Sequence, residues 1–137
     1  MTDSLVSALY TAKGGSQEAM AQAHAELQAL KEDPSFGANA LLLACSPEPD
    51  LSFLAAIHFR QWIEALADGF TEQERVRHVQ LGFQALSQVP TLRSHRLLSE
   101  ALAGLIVRIP TGSVIQAVSE LTEACRLAAP SLASDSI

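Results

Sequence analysis

Four histidines (His24, His58, His78 and His95) and two cysteines (Cys45 and Cys125) are the side chains of this sequence best suited to hold a metal or attack a substrate. Their spacing serves neither task. None of the histidines has a histidine or cysteine three or four residues away, the separation that puts two ligands on one helical face. No Gly-x-Ser-x-Gly elbow occurs. Gly14-Gly15-Ser16 is too short for a phosphate-cradling loop and follows no strand. Glu100, Glu120 and Glu123 read as solvated helix faces. Neither enzymatic activity, nor a cofactor, nor a metal site is expected. What stands out is the run DLSFLAAIHFRQWIEAL from Asp50, apolar for most of its length until Arg60 and Gln61 precede the sole tryptophan, Trp62. A cation and an amide at that point can dock the polar surface of a partner. Equally, the stem of Arg60 can cover apolar surface while its head reaches water.

A helix that is apolar nearly all round needs neighbours on several sides, and the rest of the chain has the composition to supply them. With 137 residues, 48% hydrophobic and only 18% charged, the chain can bury a core as one domain. A net charge of −6 argues against nucleic acid as a partner, because phosphate affinity comes from clustered Lys and Arg. Cys45 and Cys125 lie in apolar helical text and read as small buried hydrophobes in a reducing compartment. MTDSLVSALYTAK carries an acid where a secretory signal would be positive. No window reaches the roughly 18 uninterrupted apolar residues of a spanning helix, so membrane insertion is not expected.

Prolines mark the joints. Pro34, Pro47, Pro49, Pro90, Pro110 and Pro130 all fall between apolar-periodic segments. Asp3, Ser16, Asp33, Asp50, Thr71, Thr91 and Thr111 stand where a side-chain oxygen can cap a helix, and Thr71 to Glu74 has the form of a capping box. Between these marks the period is helical, as in Met20, Ala23, Leu27, Leu30 or Leu98, Leu102, Leu105, Ile109. Nothing alternates with period two. The pattern predicts seven helices, roughly 3–13, 16–32, 34–46, 51–68, 72–89, 92–109 and 112–129, with a disordered tail at 130–137. Gly37, Gly82 and Gly104 interrupt three of them, and close helix contact is the expected compensation.

The links are so short that successive helices must be antiparallel neighbours. The more apolar helices begin near 16, 51 and 92, about 35 and 41 residues apart, an interval typical of two-helix repeats. An all-α solenoid of about three and a half HEAT-like repeats follows, as a single domain over 1–137. In it the helix from Leu51 is buried by Leu51, Leu54, Ala55, Ile57, Phe59, Trp62 and Ile63, leaving Arg60, Gln61 and Glu64 as a strip. Val114, Ile115, Val118, Leu121 and Cys125 on the last helix lack a following repeat to cover them, which predicts self-association there.

The run AHAELQALKEDPSFGANALLLACSPEPDLSFLAAIHFRQWIEAL from Ala23 resembles the importin-β N-terminal domain of nuclear transport receptors. The likeness rests on Leu27 and Leu30, on Pro34 and Phe36, on Leu41 to Leu43, on the loop Pro47 to Asp50, and on IHFRQWI from Ile57. It continues through TEQERVRHVQLGFQALSQVPTLRSHRLLSEALAGLIVRI and spans about 19–109. Arg60-Gln61 stands where the family has Lys-Asn, and Ser52 where it often has arginine. The resemblance implies HEAT-like repeats that bind the small GTPase Ran in its GTP form, during protein transport between cytoplasm and nucleus and at the nuclear pore. Arg60 and Gln61 match the motif. Helix periodicity adds Glu64 beside them, Gln22 and Glu26 on the preceding helix, and Arg93 and Arg96 on the following one. Cargo proteins and nucleoporins would engage further repeats. The alternative is a HEAT-type interaction scaffold without GTPase specificity. A lone bundle holding a ligand would need a buried polar cluster, which the sequence does not display.

Overall fold

The computed structural model describes residues 2–110 and, beyond them, residues 112, 115, 119 and 123. The expected seventh helix and the tail at 130–137 otherwise lie outside the described residues, as do Val114, Val118, Leu121 and Cys125. Six α-helices occur among the described residues: α1 (Thr2–Lys13), α2 (Gln17–Lys31), α3 (Phe36–Ala44), α4 (Pro49–Leu66), α5 (Glu72–Leu86) and α6 (Leu92–Ile106). A 3-10 turn, Ala67–Gly69, joins α4 to α5. No strand appears among the described residues, and the protein is all-α.

Three caps fall where the sequence puts them. Ser16 and Thr91 accept from Ala19 N–H and Ser94 N–H, and Thr71 with Glu74 forms both bonds of the capping box. Three others do not. Ser35, not Asp33, precedes α3, and Asp33 instead accepts from the Ser35 N–H at 2.8 Å in the turn before it. Glu48 precedes α4, with Pro49 at its first position and Asp50 inside the first turn, where an acid suits the positive end of the helix dipole. Asp3 lies within α1.

The helices pack as three hairpins, α1 with α2, α3 with α4 and α5 with α6. The second and third hairpins stack in register. Ser52 meets Ser94 and Arg60 meets Glu100 between α4 and α6, while Cys45 Sγ approaches Ala85 O between α3 and α5. The partners are 42, 40 and 40 residues apart, so α4 runs parallel to α6, and α3 to α5. The first hairpin departs from that pattern, since its main contact with the second is made by α1 on α4. Tyr10 donates to Glu48 at 2.8 Å and Lys13 lies 3.8 Å from Asp50, tying the end of α1 to the start of α4.

Helix α4 is therefore central. Leu51, Ala55, Ala56, Phe59, Trp62 and Ile63 are buried, whereas Leu54 and Ile57, expected inside, are half-buried. Phe59 is wholly enclosed, and burying such a ring stabilises by about 1.5–3 kcal/mol. Trp62 donates its indole N–H to Lys31 O at 2.8 Å and sits among Phe36, Phe59, Phe70 and His78. Gly37 and Gly82 allow the close helix contacts expected of them, because a methyl group would overlap the His78 and Trp62 rings at one and Leu102 at the other. Gly104 faces open space, with only Arg108 Nη1 at 3.8 Å.

Candidate functional site

Seven residues per two turns keep side chains on one stripe, and two such stripes lie side by side on α4 and α6. Phe53, Ile57, Arg60 and Glu64 mark the first; Arg93, Arg96 and Glu100 mark the second. Arg60 joins them. Its Nε donates to Glu64 Oε1 at 3.0 Å within α4, and its Nη1 lies 2.6 Å from Glu100 Oε2 on α6. One guanidinium thus serves two carboxylates through different nitrogens, in the forked geometry that arginine permits and lysine does not. Two turns back toward the helix starts, the Arg93 guanidinium stands 4.0 Å over the Phe53 ring. Arg96 is exposed on the same stripe of α6.

Glu100 is exposed, as the sequence reading has it, and is in addition half of a bridge between two hairpins that the sequence reading did not foresee. The 40-residue offset was the signal that could have found it. Gln22 and Glu26 are exposed but lie on the wrong side of α2. The face of α2 toward α4 carries His24, Leu27, Gln28 and Lys31, and at 100° per residue Gln22 and Glu26 fall nearly opposite. The structure does not bring them to the strip.

Gln61 points a different way from Arg60. It lines a cleft between α2 and α4, where one hollow of about 430 Å³ adjoins another of about 410 Å³; Gln28, Lys31 and Gln61 border both. His24 and His58 flank the second. Burial, helped by Lys31 and His24, pushes the His58 imidazole down to about 4, and burial lowers the Lys31 ammonium as well. His58 Nδ1 is enclosed without a hydrogen-bond partner.

Two polar features lie deeper. Ser52 and Ser94 are fully buried, their hydroxyls 2.8 Å apart, with Ser52 Oγ 2.6 Å from Ala44 O and Thr91 Oγ1 3.2 Å from Ser94 Oγ. If each hydroxyl donates once, the chain Thr91 to Ser94 to Ser52 to Ala44 O is satisfied throughout. It ties the end of α3 and the starts of α4 and α6 together. His78 is buried and stacks on Phe70, with ring centroids 5.3 Å apart. Its Nδ1 lies 2.7 Å from Glu74 O, and because a carbonyl only accepts, Nδ1 carries the proton. Burial lowers its pKa. Cys45, expected buried, is half-buried.

Among the described residues no group of three His, Cys, Asp or Glu side chains could hold a metal ion, and no helix is long and apolar enough to cross a membrane. Comparison with protein families, curated proteins and solved structures finds no match.

Proposed function

We propose that this chain is a helical-repeat protein-binding module of the solenoid type, and that its α4–α6 edge docks a small GTPase of the Ran type in its GTP form, in protein transport between cytoplasm and nucleus. The observation that carries this reading is the stacking of hairpin α3–α4 on hairpin α5–α6 at a constant offset of about 40 residues, which leaves Arg60 of the FRQ run at the exposed seam between parallel helices. Stacked hairpins present long edges of mixed charge, suited to a partner's folded surface. The resemblance to the importin-β N-terminal domain supplies the partner. Discrimination between nucleotide states would come from the GTPase's own switch segments, ordered by the γ-phosphate.

Capture of purified Ran loaded with GTP or GDP on the immobilised chain tests the proposal. Retention of the GTP form alone is the expected result; equal retention of both, or of neither, removes the GTPase. A second reading, a scaffold without GTPase specificity, is favoured by one observation: Glu64 and Glu100 already engage Arg60, which gives that arginine a bracing role. The scaffold predicts that Arg60→Ala with Gln61→Ala leaves partner binding unchanged.

A further inference from the structure

The α4–α6 edge is not of mixed charge in a random order. Toward the helix starts it carries Arg93 and Arg96, and neither has a carboxylate partner among the described residues. The Arg93 guanidinium stands over the Phe53 ring with its Cζ 4.0 Å from the centroid, a cation–π contact that engages the charge without using an N–H donor on a carboxylate. Helix α6 itself gains nothing from Arg93, because a cation in the first turn meets the positive end of the dipole. Toward the helix ends the balance reverses. Glu64 and Glu100 share Arg60, so one negative charge remains uncompensated, and the side chains of both acids keep about half of their surface in water (60% and 46%).

Seven residues of α6 separate Arg93 from Glu100, a rise of about 10 Å. The screening length at physiological salt is about 8 Å, so the two sectors do not cancel but act as separate charges on an approaching surface.

We propose that this edge is a polarised docking surface whose protein partner presents carboxylates to Arg93 and Arg96 and, about 10 Å further along the helices, a basic side chain to Glu64 and Glu100. The order of the two sectors fixes the direction in which the partner lies along α4 and α6. A partner turned end for end meets like charges in both places. The inference rests on the reading of this edge as a protein-binding surface, and it specifies the partner's chemistry whichever protein that is.

The test uses the isotope-labelled full chain and two blocked peptides, hexaglutamate and hexalysine, followed by NMR. Hexaglutamate is expected to shift Arg93 and Arg96, and hexalysine to shift Glu64 and Glu100. Arg93→Gln with Arg96→Gln abolishes the first set of shifts and spares the second; Glu64→Gln with Glu100→Gln does the reverse. These positions are exposed, and unchanged amide spectra elsewhere establish that the variants fold. Shifts scattered over the whole surface, both peptides mapping to one sector, or shifts that survive the matching substitution overturn the proposal. If Ran is not captured while the peptides map as described, only the GTPase reading fails. If Ran-GTP is captured while the peptides do not map, the polarity fails and the GTPase stands.

Discussion

Gly37 and Gly104 offer the same chemical change in opposite surroundings. An added methyl at Gly37 would lie 2.6 Å from both His78 Nε2 and Trp62 Cζ3, inside a stack of rings that cannot swing away. Overpacking of that kind costs about 1–3 kcal/mol, and contacts this close place it in the upper part of the range. Alanine returns about 1 kcal/mol through helix propensity. Gly37→Ala should therefore destabilise by about 1–2 kcal/mol net. Gly104→Ala meets nothing nearer than 3.8 Å and should stabilise by about 0.5–1 kcal/mol. Trp62 is the only tryptophan, buried beside Gly37, so its fluorescence reports unfolding of the affected contact directly. In urea, with a slope of about 1.5 kcal/mol/M, the Gly37→Ala midpoint should fall by about 1 M and the Gly104→Ala midpoint rise by about 0.5 M. If Gly37→Ala were as stable as the parent, the close packing of α3 on α4 and α5 would be wrong.

Ser52→Ala should cost about 1–2 kcal/mol in the same assay, because it strands the buried Ser94 hydroxyl. Adding Ser94→Ala to it should cost less than the two single changes summed, whereas strict additivity would mean that the hydroxyls do not form one chain. His58 and His78 both have lowered pKa values in the fold, His58 about 4, against about 6.5 unfolded. The unfolded chain therefore takes up their protons first as pH falls. Their contribution is complete above about pH 6.5 and is lost as pH falls below it, for His58 toward about pH 4. The urea midpoint should be lower at about pH 5 than at about pH 7.5, and His58→Gln should shrink the difference; a flat profile would contradict the enclosure of the half-buried His58 and the buried His78. Arg60→Ala should change stability by less than about 1 kcal/mol, since its two ion pairs are partly exposed, so any large loss of partner binding would reflect contact and not unfolding.

The helices were legible because their marks are local. Proline at the joints, hydroxyls at Ser16, Thr71 and Thr91, and apolar residues three and four apart are all written within one turn of the structure they specify. The missed caps show the limit of that reading. Asp33 and Asp50 have the right side chain, but each lies a turn's fraction from the true boundary, where Ser35 and Glu48 stand. Which faces meet is not local information. Gln22 and Glu26 share the helical period of α2 with His24 and Lys31, and only the placement of α2 against α4 decides which pair looks inward. The displacement of α1 onto α4 could not be inferred from a repeat that α1 does not follow.

The bridge from Arg60 to Glu100 belongs to a third kind of signal, long-range but regular. Once α4 and α6 are parallel and in register, a residue and its neighbour on the next hairpin differ by a fixed number near 40. Phe53 under Arg93, Ser52 against Ser94 and Arg60 against Glu100 are then one relationship stated three times. Read singly, Glu100 is a charged residue on a helix and Ser52 is a small polar residue in an otherwise apolar run. Read across the offset, Ser52 is small because Ser94 and the Ala44 carbonyl fill its surroundings, and the 0% exposure of both serines leaves no route to water for an arginine head. A cation of this seam stands farther along, at Arg60, where two carboxylates and solvent hold it.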